Sequence, residues 1–410
     1  PDAGALKSSY AAVQKAIESG KVTAACPVGV GGVAAAVCKM CMGNLLGAEL
    51  SGLKAKEYFT PELGAMVLEA DEATLRELGA AVLGTVTERP EIRINGAAVS
   101  VKEAIGAYLE KLDPVFPVYA KNTGETHTVS SAQKAFAPCR FKTAARPRVI
   151  IPVFPGTNCE VDTALTFTEA GAECEIFVLN NLTAKDIEES TAALARSIAK
   201  ANILMLPGGF SGGDEPDGSG KFIATVLRNA AVKESVLELL YKRDGLAMGI
   251  CNGFQALIKT GLLPYGDIRV TQPDAPTLTF NTVCRHISTM AQVRVSSVNS
   301  PWMSNCRVGE VYTVALSHGE GRFVGTPETL AQLEANGQIL TQYVDAEGNA
   351  SMDGRFNYNG SMLSIEGILS PDGKILGKMG HAERAGAELF KNIPGEHDMR
   401  IFEAGVNYFK

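Results

Sequence analysis

The sequence predicts an α/β protein. A doubly wound, mostly parallel sheet is expected over residues 147–410, preceded by a smaller, incomplete unit of mixed helices and strands over residues 1–113. Three observations carry this. Apolar runs of strand length alternate regularly with helical patterns after residue 146, as in a parallel sheet covered on both faces. The first run, Val149-Ile150-Ile151-Pro152-Val153-Phe154, is apolar throughout, which fits a strand buried on both sides. The first hundred residues show a shorter β–α–β rhythm that is too small for a complete domain.

Taken in order, a helical pattern runs through Tyr10, Val13 and Ile17, and the apolar stretch Val33 to Cys41 follows Gly31-Gly32. A glycine pair before a helix is either a tight turn or an anion-binding approach of the backbone. Gly64 to Leu68 reads as a strand, Ala73 to Leu78 as a helix and Ala80 to Val86 as a strand. Periodicity then fades, and residues 114–146, with Asp113-Pro114, Phe116-Pro117 and a polar stretch, read as a linker with a boundary near residue 146. Beyond it, strands are expected at Cys174 to Leu179, Asn202 to Leu206 and Gly245 to Ile250. Helices are expected at Glu160 to Ala170, Ala184 to Ala199 and Phe222 to Tyr241. Shorter strand-like runs, Val311 to Leu316 and Ser361 to Ile368, lead to a closing helix, Ile401 to Phe409.

Composition narrows the function. The chain has 410 residues, 46% apolar and 20% charged, which is ordinary for a soluble globular protein. No apolar run reaches the roughly 18 residues that a membrane helix needs. The net charge of −7 argues against nucleic acid as a partner. Nine cysteines without framework spacing fit a reducing cytoplasm. The lone pair Cys38-Lys39-Met40-Cys41 lacks further ligands, so no metal site is expected.

The sharpest chemical signal is Gly249-Ile250-Cys251-Asn252-Gly253, between a buried strand and a helix. This is the thiol version of a nucleophile elbow, with glycines where the chain turns sharply. It presents the Cys251 sulfur at a helix N-terminus, whose positive end favours a thiolate. The Asn252 N–H is aimed where an oxyanion would develop. A second strand end, Leu206-Pro207-Gly208-Gly209-Phe210-Ser211-Gly212-Gly213-Asp214, offers the N–H groups of Gly209 and Phe210 for the same purpose. It lacks the Gly-Lys-Ser/Thr ending of a phosphate loop. A thiol nucleophile needs a base and an orienting group. Of five histidines, His318 and His381 each have a glutamate two residues on, Glu320 and Glu383, and spacing does not choose between them.

These motifs, with Ser317-His318-Gly319-Glu320-Gly321 and Gly380-His381-Ala382-Glu383-Arg384, come in the order of the class I, triad-type glutamine amidotransferases, which the chain resembles. Phe154-Pro155-Gly156-Thr157-Asn158-Cys159 and Asn357-Tyr358-Asn359-Gly360-Ser361 resemble, within that class, the glutaminase part of the phosphoribosylformylglycinamidine synthase family. Gly31-Gly32 with its helix and Glu62 to Leu68 are similar to the tail of the synthetase domain in that family's single-chain form. The resemblance implies a flavodoxin-like glutaminase over 147–410 after a synthetase tail, the whole being the C-terminal piece of a longer cytoplasmic enzyme of purine synthesis. It implies the triad Cys251, His381 and Glu383, with Gln255, His318 and Gly319 around the glutamine. It also implies no cofactor in the glutaminase, ATP and Mg for the synthetase, and glutamine, formylglycinamide ribonucleotide and the upstream synthetase region as partners. The family's Pro between His and Glu is Ala382 here, and its acidic residue before Gly-Gly is Val30. Two other readings stay open: a related Cys-dependent α/β hydrolase, and a non-catalytic regulatory domain.

Overall fold

A computed structural model describes residues 2–133, 138–142, 146–211, 220–386, 389–391 and 393–410. Gly212-Gly213-Asp214 of the second strand-end motif and residues 143–145 of the expected linker lie outside the described residues. The chain divides into two compact units, Pro1–Val118 and Tyr119–Lys410.

The first unit contains α1 (Ala3–Glu18), β1 (Val22–Pro27), α2 (Gly32–Asn44), β2 (Gly47–Leu50), β3 (Met66–Ala70), α3 (Glu72–Glu77), β4 (Gly84–Thr87), β5 (Glu91–Ile94), β6 (Ala97–Ser100) and α4 (Val101–Leu109). Strands pair as β1–β3 and as a four-stranded sheet in the order β4-β2-β5-β6. Ala34, Val37 and Cys41 of α2 pack with Tyr58, Ile92 and Val101 to form its core. Gly32, the first residue of that helix, has no room for a side chain: a Cβ there would lie 2.4 Å from the Tyr58 carbonyl oxygen. The glycine pair is thus explained by close packing. Burial pushes the Cys38 thiol up and the Cys41 thiol to about 11, which suits packed, protonated side chains.

The second unit contains β7 (Arg148–Val153), α5 (Glu160–Glu169), β8 (Glu173–Val178), α6 (Ala184–Ile198), β9 (Ile203–Leu206), α7 (Lys221–Leu227), α8 (Ala230–Leu237), β10 (Leu246–Ile250), α9 (Asn252–Thr260), α10 (Leu262–Tyr265), β11 (Thr277–Thr279), β12 (Ile287–Val295), β13 (Val311–His318), β14 (Arg322–Val324), α11 (Pro327–Asn336), β15 (Ile339–Tyr343), β16 (Ile365–Leu369), β17 (Ile375–Lys378) and α12 (Ile401–Asn407). Nine strands form one sheet in the order β13-β12-β15-β16-β17-β10-β9-β7-β8. From β17 to β8 every pairing is parallel. Read from the edge, that half runs second, first, third, fourth and fifth in chain order, the flavodoxin-like doubly wound arrangement. Four further strands extend it with antiparallel pairings. Buried aliphatic side chains of β7, β9 and β10 fill the core, with Phe167 edge-on to Phe402.

The division between the units falls between Val118 and Tyr119, within the stretch expected to be a linker. Much of the stretch read as a linker lies on the second unit: Asn122 donates to the Asn357 carbonyl, Arg294 to the Val129 carbonyl, and the Val129 N–H to Gln342. Hydrogen bonds and the isolated buried side chains of Val129 and Cys139 hold it, without a periodic apolar face that hydrophobic patterning could reveal. The helix expected from Phe222 to Tyr241 is broken, with Asn229 capping α8 by accepting from the Ala231 N–H at 3.1 Å. The strand expected from Ala80 begins only at Gly84.

Candidate active site

Ligands of doubly wound sheets collect at the carboxyl ends of the parallel strands. Four such ends meet here, those of β7, β9, β10 and β17. Cys251 follows β10 and begins α9, with φ 51° and ψ −106°, a conformation that is rare for any side-chain-bearing residue. Holding it costs about 1–3 kcal/mol, which the surrounding packing must offset. Gly253 allows α9 to pack directly over β9: a Cβ there would lie 1.9 Å from the Leu206 carbonyl oxygen. The Cys251 N–H donates to the Lys378 carbonyl at 2.9 Å. Its sulfur lies 3.7 Å from the Ser317 carbonyl oxygen.

His381 follows β17, the parallel neighbour of β10, and its N–H donates to the Ala315 carbonyl at 2.9 Å. Its Nδ1 lies 2.5 Å from Glu383 Oε1, with both side chains buried. Among the described residues, Nε2 has no hydrogen-bond partner at bonding distance. Gly208 marks the centre of the group. A Cβ on it would lie 2.8 Å from His381 Cε1, 3.1 Å from Cys159 Sγ and 3.5 Å from Cys251 Cβ. Burial opposes a charge on His381, but Glu383 and the side chains of Cys159 and Cys251 outweigh it and hold its pKa well above the usual value. Burial likewise pushes Glu383 up, and the His381 charge and hydrogen bond overrule it, leaving its pKa lowered. Each partner thus favours the charged form of the other.

The other histidine candidate is also close but differently employed. His318 is buried, and its Nδ1 lies 3.2 Å from Asn281 Oδ1 rather than on Glu320. Burial, then the charges of His381 and His286, push its pKa down to about 3. Asn281 also donates to the His318 carbonyl and accepts from the Gly321 N–H, and its own N–H donates to the Gly319 carbonyl. His318 and Gly319 therefore belong to a loop shaped by Asn281, a residue that no motif had marked. Gln255 is buried, accepts from Asn252 Nδ2 at 2.9 Å and donates to the Glu320 carbonyl at 2.6 Å. It ties the elbow helix to that same loop.

Of the three N–H groups expected to serve an oxyanion, those of Asn252 and Gly209 are not taken up by their own helix or bridge. The Asn252 N–H lies in the first turn of α9, where helix geometry provides no acceptor. Gly209 forms a bridge with Thr157 in which the neighbours exchange the hydrogen bonds, so its own N–H points away from that segment. The Phe210 N–H corrects the expectation, because it donates to the Gly156 carbonyl at 2.7 Å and is already used. Gly209 must be glycine, since a Cβ would lie 2.6 Å from Gly156 O at a φ of +146°.

Cys159, quoted as part of a motif but given no role, lies 3.9 Å from His381 Nδ1 and accepts from Arg384 Nη2 at 3.3 Å. Together with His381 and Glu383 it places one sulfur, one nitrogen and one oxygen within 4.8 Å, a donor set that zinc accepts. The Nδ1–Oε1 hydrogen bond and the guanidinium on the sulfur already engage those atoms, so the cluster reads as a hydrogen-bonded group.

The two buried histidines set opposite limits on stability. His318, neutral in the fold, lets the unfolded chain gain a proton first below its ordinary value of 6.5. Stability then falls by up to about 1.4 kcal/mol per pH unit toward pH 3. His381, with its raised pKa, contributes stability that is complete below its ordinary value of 6.5 and lost as pH rises through the folded value. Urea unfolding followed by Trp302, the single and buried tryptophan, should therefore show greatest stability near pH 6.5. His318→Gln should flatten the acid limb alone. An unchanged acid limb in that variant would refute the assignment.

An elbow cysteine beside a histidine paired with a buried glutamate, at one end of a doubly wound sheet, is an arrangement able to carry thiol-dependent acyl transfer. Residues 146–409 match the model of the CobB/CobQ-like glutamine amidotransferase domain, and the chain belongs to that family. Among curated relatives, phosphoribosylformylglycinamidine synthase subunit PurQ of Chlorobaculum tepidum is 32% identical over 254 residues, covering 62% of this chain and 94% of that one. The subunit of the same name from Methanococcus maripaludis is 35% identical over 286 residues, covering 64% and 97%. The solved structure titled PurLQS from Thermotoga maritima is 26% identical, with a TM-score of 0.46, covering 65% of this chain and all of that one. The first unit lies outside the matched family region. Among the described residues, no helix is long and apolar enough to cross a membrane.

Proposed function

We propose that the second unit hydrolyses the side-chain amide of glutamine, as the glutaminase part of a phosphoribosylformylglycinamidine synthase. The observation that carries this is the His381 ring, held by Glu383 beside the elbow thiol of Cys251. The sulfur of Cys251 attacks the amide carbon, and its proton resides on His381. The N–H groups of Asn252 and Gly209 receive the negative charge that develops on the carbonyl oxygen. Collapse breaks the C–N bond, His381 returns the proton to the nitrogen, and ammonia leaves. Water then attacks the thioester with His381 as base, giving glutamate and the free thiol. The relatives' name, phosphoribosylformylglycinamidine synthase subunit, supports a synthetase site as the destination of the ammonia; the family resemblance implies that this site uses ATP to convert formylglycinamide ribonucleotide to its amidine. The first unit is read as part of that synthetase on the likeness of Gly31-Gly32 and Glu62 to Leu68.

Labelling with a glutamine-mimicking chloroketone, followed by peptide mapping of all nine cysteines, tests the proposal. Modification confined to Cys251 and blocked by glutamine is expected. Modification elsewhere, or at Cys251 without protection by glutamine, would overturn it.

A further inference from the structure

Two oppositely charged side chains in the second unit have no exposure at all: Lys378, the last residue of β17, and Glu366 of β16. Lys378 Nζ lies 3.1 Å from Glu366 Oε1. Burying such a pair is expensive, and an apolar pair of similar volume is often at least as stable, so packing alone does not account for it.

Their contacts do. β17 ends at Lys378, and within three residues the chain must leave the sheet and deliver His381. Both peptide groups of Gly380 are taken by the pair. Lys378 Nζ donates to the Gly380 carbonyl at 2.9 Å, and the Gly380 N–H donates to Glu366 Oε1 at 2.6 Å. The Met379 N–H donates to the Glu366 backbone carbonyl at 3.1 Å. Thr341 Oγ1 donates to the other carboxylate oxygen of Glu366. On its other side, the backbone carbonyl of Lys378 accepts the N–H of Cys251, the residue in the rare backbone conformation. One residue thus grips the backbone at the nucleophile and, through its side chain, the backbone next to the base.

We infer that the Lys378–Glu366 pair is a positioning element that fixes the Cys251 backbone relative to the His381 backbone. The inference rests on the glutaminase reading above. Neither residue touches substrate, and both act through the peptide groups of Cys251 and Gly380.

The test uses the full 410-residue chain. Lys378→Met combined with Glu366→Gln removes both charges and leaves neither one buried alone. For chloroketone labelling of Cys251, the maximal inactivation rate should fall about tenfold or more while the half-saturating concentration stays within about twofold, since small misplacements reduce rate before binding. Thr341→Val should lower the same rate to a smaller extent. A folded double variant with the wild-type inactivation rate would overturn the inference. If the double variant does not fold, an unchanged rate in Thr341→Val overturns it equally. Lower thermal stability with unchanged labelling would mark the pair as structural only. Alkylation by iodoacetamide separates the two readings. A wild-type Cys251 that reacts with iodoacetamide but not with the chloroketone refutes the glutaminase reading, and the iodoacetamide rates still test the pair.

Discussion

Replacing Cys251 with alanine is expected to reduce glutamine hydrolysis by about 10,000-fold or more, because no covalent route remains. The fold should survive. The sulfur's contact with the Ser317 carbonyl is long, at 3.7 Å, and deleting one buried sulfur removes little packing. A loss of about 1 kcal/mol is expected. Glutamine binding should persist, because the hydrogen bonds of Asn252 and Gln255, and that of Gly321 to Asn281, do not involve the sulfur. Calorimetric binding alongside an assay for glutamate would show both effects. Hydrolysis at the wild-type rate would remove Cys251 from the mechanism.

Glu383→Gln should lower kcat by about 100- to 10,000-fold, the usual range for disabling a general base, with little change in KM. Glutamine keeps the shape and a hydrogen bond to His381 but removes the charge. Burial opposes protonation of His381, and the Glu383 charge is the largest influence favouring it. Without that charge the imidazole pKa should fall. Steady-state kinetics across pH would report this. A raised KM with unchanged kcat would make Glu383 a packing residue instead.

The elbow was legible because its requirements are local. The glycines of Gly249-Ile250-Cys251-Asn252-Gly253 answer steric contacts made within a few residues and with the adjacent strand, and β10 is apolar throughout. The parallel half of the sheet was legible for the same reason, each strand being a short buried run. The base was not legible from spacing. His318 and His381 carry the same offset to a glutamate, and both are buried in the site. What separates them is a long-range fact, that β17 pairs with β10 while the 317–321 loop is claimed by Asn281. Family likeness supplied that choice where residue patterns did not. Lys378 and Glu366 were invisible for a related reason. A charged residue in an apolar run reads as a strand end facing water, and only the sheet order brings the two together.

The parallel register of β10 and β17, from Ala247 beside Ile375 to Ile250 beside Lys378, has a mechanical consequence. Cys251 and His381 ride on one rigid plate and cannot easily be separated. The Asn252 N–H, one of the two proposed oxyanion donors, rides with them on α9. The other hangs on the 207–211 turn, whose setting is dictated by the 154–158 segment through the Gly156–Phe210 hydrogen bond. The sheet therefore sets the thiol and the imidazole, and the 154–158 segment sets the turn. On the proposed mechanism, displacing residues 154–158 would slow amide hydrolysis, which uses both N–H groups. It would leave the thiol as reactive as before toward alkylating agents, which need neither.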